Sequence, residues 1–343
     1  MINSKIRVLA IDGGGIRGVI PARMLVHIEE ILRDVSRNET AKISDYFDLI
    51  AGTSTGGILT ALILSPDPGY SATDMVKLYV DYGAEIFTRS VMTKLIDRNG
   101  LFHPLYQHEA IERILEAYLG DLKISELERP CLIPTYNIET GEATFISSIE
   151  ILKNPKRDCH VRDVLRATTA APTYFAPTRQ KGDAFIDGGM FANNPALCAY
   201  VEATKLPSEP QAQDIMILSL GTGSINRNYP YESAKRWGRM GWVRPALEIY
   251  SSAASQTVNH QLEMLYMNKD QEKNYLRIEP NLNNFPVSAA MDNASATNIE
   301  ALIGVGEKMC EKYDAQLREF LKQVVLSNVV STHKMLYQDS KSI

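Results

Sequence analysis

Cysteine is scarce in this chain of 343 residues, and the four present, Cys131, Cys159, Cys198 and Cys310, lie far apart. They form no CxxC pair and no Cys/His metal spacing, which counts against a disulfide framework or a zinc ribbon. A reducing, intracellular setting is the simplest reading. The six histidines are scattered without an HExxH, so no metal site is expected. Positive charge is not in excess: 36 Lys and Arg face 41 Asp and Glu, a net charge of −5. A protein that grips phosphates along a nucleic acid needs the opposite balance, so nucleic acid is not an expected partner. Long hydrophobic runs are missing too. The uncharged stretch from Leu49 to Pro66 contains Gly52, Gly56, Gly57 and several hydroxyl residues, and it falls short of the about 20 apolar residues a membrane span needs. Ile6 to Ile11 meets Asp12 at once, too early for a signal-peptide core. The expectation is a cytoplasmic protein, peripheral at membranes when active.

What the sequence has is an alternation of apolar runs and glycine-rich loops. ‘KIRVLAIDGGGIRG’ reads as a core strand leading into a loop. ‘VIPARMLVHIEEILRDV’ then sets Met24, Leu25, Ile28, Ile31 and Leu32 at helical spacing, with Pro21 near the helix start, where proline is tolerated. ‘YFDLIAGTSTGG’ is a second strand and turn, and ‘GILTALIL’, apolar all round, predicts a buried helix. Residues 71–119 read as helices broken at Asn99-Gly100. ‘CLIPTYNIETGEATFIS’ predicts two strands joined by a turn, and ‘HVRDVLRATTAAP’ a helix stopped by Pro172. ‘AFIDGGMFANNP’ and ‘IMILSLGTGS’ each supply a strand ending in glycine. Strands alternating with helices favour an α/β fold whose sheet is mostly parallel and covered on both faces. The character changes after Ser224, and the stripe from Ile299 to Val324 predicts a terminal helix packed on the core.

Three loops could carry chemistry. Asp12-Gly13-Gly14-Gly15-Ile16-Arg17-Gly18 contains a formal GxGxxG, which admits a dinucleotide site. The acidic residue expected at the end of a second strand is absent, because Glu29 and Glu30 fall within the helix. The other reading is an anion cradle, in which side-chain-free backbone leaves N–H groups facing the loop and a helix start adds partial positive charge. Gly52-Thr53-Ser54-Thr55-Gly56 fits the GxSxG elbow, where a sharp strand-to-helix turn exposes a serine nucleophile. Its hydroxyl needs a base. His260 lies in an amphipathic helix and His333 in a polar tail, whereas Asp187 ends a strand beside Gly188 and Gly189, where a site residue of an α/β sheet belongs. At an ordinary pKa near 3.9 a carboxylate is a weak base for such a hydroxyl, which leaves much of the work to positioning.

These loops, together with ‘ATTAAPTYFAP’ (Ala167 to Pro177), ‘NNP’ (Asn193 to Pro195) and ‘LSLGTGS’, resemble the patatin-like phospholipase family in order and spacing over residues 6–225. The resemblance implies a three-layer α/β/α fold, with 1–225 as the catalytic core and 226–343 as a mainly helical part packed on the same domain. It implies a Ser–Asp dyad in place of a triad, with Ser54 as nucleophile and Asp187 as base. Gly13, Gly14 and Gly15, with Arg17 nearby, would form the oxyanion hole, and Gly52 and Gly56 the elbow. The implied reaction is hydrolysis of acyl esters in phospholipids or related lipids through an acyl-serine, without cofactor or metal. Certain bacterial relatives of similar length are switched on by cyclic nucleotides, so an activator of that class is a further implied partner, although no motif here marks a site for one. Two rivals stand beside this reading: a catalytically silent lipid-binding scaffold, and an oxidoreductase using the Gly13–Gly18 loop. Transient membrane contact is expected from Lys235, Arg236, Trp237, Arg239, Met240, Trp242 and Arg244, which mix cations with interfacial aromatics.

Overall fold

The first apolar run forms β1, Ile6–Ile11, buried along its whole length. The computed structural model describes residues 5–89, 103–206, 210–225, 227–267 and 272–328. Leu9 and Ile11 enter one hydrophobic core while Ile6, Val8 and Ala10 enter a second on the opposite face, as the two-residue period of a strand requires. A strand covered on both faces needs no polar alternation. Arg7 is the exception, and Asp48 answers it. The Asp48 carboxylate takes the Arg7 backbone N–H at 2.9 Å, Nε at 2.7 Å and Nη2 at 2.5 Å.

Helix α1, Val19–Ser36, follows, then β2, Leu49–Gly52, and α2, Thr55–Ile63, in which every residue is buried. The run that was too short for a membrane span is thus a core strand and a core helix. Helices α3, Ala72–Ile86, and α4, Glu109–Leu119, lead to β3, Cys131–Asn137, and its hairpin partner β4, Glu142–Ser147. Helix α5, Val161–Thr168, ends four residues before Pro172, consistent with the bar that proline places on helical geometry at Ala171. The chain continues through β5, Thr178–Gln180, β6, Asp183–Asp187, the single turn α6, Gly189–Ala192, α7, Ala196–Ala203, and β7, Ile215–Leu220. The last part contributes α8, Arg239–Met267, strand β8, Tyr275–Ile278, and α9, Ala296–Asn328, which packs along α1. The Asn99-Gly100 break, His333 and the Arg244 side chain lie outside the described part.

Among the described residues eight strands form one sheet in the order β5-β6-β3-β2-β1-β7-β8, with β4 also on β3. Strands β3, β2, β1, β7 and β8 are mutually parallel. Helices α1, α2, α3 and α9 fill the core on one face, and α7 and α8 the core on the other, giving the three α/β/α layers. Strand order reverses at β1, so the loops after β1 and β7 flank the crevice where open α/β sheets place their ligands.

Two strands run against the parallel set, β4 in its hairpin with β3 and β6 on the opposite edge. β6 runs antiparallel to β3. β4 occupies one edge of β3 from Leu132 to Asn137. The other edge is shared, with β2 beside Cys131 and Leu132 and β6 beside Thr135 to Asn137. β2 therefore runs up to Gly52 while β6 runs down to Asp187, and the two strand ends face each other across a short gap. Pro134 sits in that gap, where no ladder donor is needed.

Candidate active site

The gap in the β3 edge holds the elbow. Ser54 has φ 55° and ψ −120°, a conformation that a residue with a side chain keeps only when its surroundings impose it. Its N–H donates to the Thr168 hydroxyl at 3.0 Å, and that hydroxyl donates to the Pro134 carbonyl at 2.6 Å. The Thr53 hydroxyl donates to the Ala192 carbonyl at 2.7 Å. The flanking glycines are steric necessities. A Cβ on Gly52 would lie 2.1 Å from the Gly56 carbonyl oxygen, and one on Gly56 would lie 2.2 Å from that of Ile11.

Asp187 closes the other side of the gap. Its backbone N–H donates to Ala170 O at 3.0 Å, and its Oδ1 accepts the Gly189 N–H at 2.7 Å. Gly188 is fixed by space, since a Cβ there would lie 2.2 Å from Pro134 O. Burial pushes the Asp187 carboxyl up to about 6, opposed by the Gly189 N–H and by the Ser54 hydroxyl. The ordinary aspartate value assumed from sequence is thus corrected: this carboxyl is a stronger base than an exposed one. Ser54 and Asp187 are both largely covered, at 9% and 6% exposure.

The glycine loop lies against the elbow but divides its donors unevenly. The Gly13 N–H is taken by the Asn193 carbonyl at 3.0 Å. The Arg17 guanidinium is occupied as well, donating from Nε to Gly14 O at 3.3 Å and from Nη1 to Gly223 O at 2.9 Å. These two differ from the role expected of them. Gly13 has no N–H to offer an oxyanion, and Arg17 braces the loop rather than lending its charge directly. The N–H groups of Gly14 and Gly15 find no acceptor among the described residues, and neither does that of Thr55, the first residue of α2. The Thr55 donor was missed in the sequence, although the residue after an elbow nucleophile commonly supplies one.

Beneath the loop lies a buried ionic network that no motif announced. Arg277 on β8 grips the Asp12 carboxylate through Nη1 at 2.7 Å and Nη2 at 2.5 Å, donates to the Ser219 hydroxyl at 2.7 Å, and pairs with Glu279. Burial raises the Asp12 and Glu279 carboxyl pKa values while Arg277 opposes the rise. Of the histidines proposed as rival bases, His260 is exposed on α8. Among the described residues no cluster of three or more His, Cys, Asp or Glu side chains could hold a metal ion. No helix among them is long and apolar enough to cross a membrane.

Trp237 and Trp242 pack edge to face at 5.1 Å, with Tyr229 at 5.5 Å from Trp237. They do not sink into the core: Trp242 is 41% exposed and its neighbour Met240 is 83% exposed. Helix α8, which carries Trp242, also contacts α6, the turn that begins two residues after Asp187.

A family model described as “Patatin-like phospholipase” matches residues 9–200. Among relatives from Solanum tuberosum, “Probable inactive patatin-3-Kuras 1” is 32% identical, covering 94% of this chain and 93% of its own. “Patatin-2-Kuras 3” is also 32% identical, covering 94% of this chain and 90% of its own. Among solved structures, VipD from Legionella pneumophila aligns over 89% of this chain and 67% of its own, at a TM-score of 0.35 and 13% identity. That likeness is too distant to carry an argument.

Proposed function

The chain belongs to the patatin-like phospholipase family, a family of lipid acyl hydrolases, and from that premise we propose that it cleaves fatty-acyl esters of phospholipids in the manner of a phospholipase A. Ser54 attacks the ester carbonyl and Asp187 takes the hydroxyl proton. The N–H groups of Gly14, Gly15 and Thr55 stabilise the oxyanion, each such donor being worth typically about 2.7–4 kcal/mol. Collapse expels the lysolipid alcohol, which recovers the proton from Asp187. Water then enters, gives a proton to Asp187 and attacks the acyl-serine, and the fatty acid leaves as Asp187 returns that proton to the Ser54 oxygen. The observation that carries this reading is the gap in the β3 edge, where a strained elbow serine at the end of β2 meets Asp187 at the end of β6, a buried carboxyl raised to about 6. A base is most effective when its pKa approaches the working pH.

The exposed surface at the start of α8 supports a membrane partner. Arg236 and Arg239 are exposed next to Met240, Trp242, Val243 and Tyr231, a mixture suited to anionic headgroups and the acyl boundary beneath them.

The test is to incubate the protein with mixed phospholipids, identify products by mass spectrometry, and treat it in parallel with a fluorophosphonate probe. The expected result is free fatty acid with lysophospholipid, and labelling at Ser54, both lost in Ser54→Ala with the fold intact. Hydrolysis at the normal rate by purified Ser54→Ala would refute the assignment, and a folded protein whose Ser54 escapes the probe would favour the silent scaffold.

A further inference from the structure

The Gly13–Gly14 peptide is held more firmly than a link between two glycines has reason to be. The Gly13 carbonyl accepts the Thr222 hydroxyl at 2.6 Å and the Asn193 side-chain amide at 3.3 Å, and the preceding Asp12–Gly13 peptide is anchored as well, its N–H donating to the Asn193 carbonyl at 3.0 Å. Thr222 comes from the loop after β7, across the crevice where strand order reverses. It is buried, and a Cβ on Gly14 would lie 2.3 Å from its Oγ1. A peptide flanked by two glycines meets no Cβ on either side, so it is the kind most easily flipped end over end. A trans peptide is planar, so its C=O and the next residue's N–H point in opposite directions. Drawing the Gly13 carbonyl toward Thr222 and Asn193 therefore turns the Gly14 N–H the other way, and that N–H has no acceptor among the described residues.

We infer that Thr222, assisted by Asn193, is a positioning residue that locks this peptide in the orientation that presents the Gly14 N–H to the reaction's oxyanion. The inference rests on the acyl-hydrolase reading above and adds to it a residue that touches neither nucleophile nor base. In the flipped peptide a carbonyl oxygen would replace the donor and repel the developing negative charge, so the lock acts on the transition state more than on substrate binding. Asn193 also borders Asp187, because a Cβ on Gly189 would lie 3.0 Å from Asp187 Oδ1 and 3.1 Å from Asn193 Oδ1. Thr222 is the cleaner target.

The experiment compares wild type, Thr222→Val and Thr222→Ser on a soluble neutral ester, with Asn193→Ala as a second variant should Thr222→Val fail to fold. Thr222→Val keeps the side-chain shape and removes the hydroxyl. Its kcat should fall about tenfold or more, with KM within about twofold, and affinity for a trifluoromethyl ketone that forms the tetrahedral adduct should fall in parallel. Thr222→Ser should restore most of both. A folded Thr222→Val with wild-type kcat, or one whose loss lies in KM alone, overturns the inference and leaves the acyl-hydrolase reading standing. If Asn193→Ala must be used, unchanged kcat and ketone affinity overturn it likewise. Absence of Ser54-dependent esterase activity in the wild-type protein overturns both.

Discussion

Replacing Asp187 with asparagine should disable the protein and stabilise it at the same time. Burial lifts this carboxyl from an ordinary 3.8 to about 6, which penalises its ionised form in the folded state by about 3 kcal/mol at about 1.36 kcal/mol per tenfold. The sign follows from the protonation states. Below about pH 3.8 the carboxyl is protonated whether the chain is folded or not, and no penalty arises. Between 3.8 and 6 the unfolded chain ionises first, so folded stability declines as pH rises, and above about 6 the full penalty applies. Asp187→Asn carries no such charge, and its remaining oxygen can still accept the Gly189 N–H. Its stability advantage over wild type should therefore widen by about 1.4 kcal/mol between pH 5 and pH 8. Urea unfolding of both proteins at the two pH values measures that change directly, and fixed contributions of the amide cancel in the difference. Esterase activity in the same preparations should be down by about 10²–10⁴, the usual cost of losing a positioned base. A stability gap that stays constant or narrows toward pH 8 would refute the claim that Asp187 is held at a raised pKa by burial.

The same raised pKa makes the wild-type rate acid-sensitive: on a neutral soluble ester, kcat/KM should rise about tenfold from pH 5 to pH 7, and a flat profile would contradict ionised Asp187 as the base. Gly188→Ala should cost about 3 kcal/mol or more, because its Cβ would lie 2.2 Å from Pro134 O; thermal melts will show it, and a wild-type melting temperature would count against the close approach. Trp237→Ala with Trp242→Ala should weaken binding to anionic liposomes while sparing hydrolysis of a soluble ester, whereas equal loss of both would assign the tryptophans to packing.

The elements legible in the sequence are those whose causes are local. β1 and β2 announce themselves as apolar runs, and the elbow does so through Gly52 and Gly56, whose missing side chains answer to atoms only a few positions away or on the neighbouring strand. The direction of β6 was not legible, because a five-residue strand reads the same whichever way it runs, and only its pairing with β3 decides. The basicity of Asp187 was hidden for a related reason: burial is a property of everything packed around a group. The donor roles within the glycine loop depended on partners far along the chain. Asn193 and Thr222 stood in the quoted stretches ‘NNP’ and ‘LSLGTGS’, the one signal that could have prompted the question, yet nothing in those letters says which carbonyl they reach. Arg277 had no signal at all, since ‘YLRIEP’ looks like any short strand.

Arg277 also bears on where this protein can be cut. The span matched by the family model stops at residue 200, but the carboxylate that opens the glycine loop leans on a guanidinium from β8. A fragment ending before residue 275 would lose that counter-charge together with β8, the strand that covers the outer edge of β7. The span that the family model matches therefore does not by itself contain every group that holds the glycine loop in place.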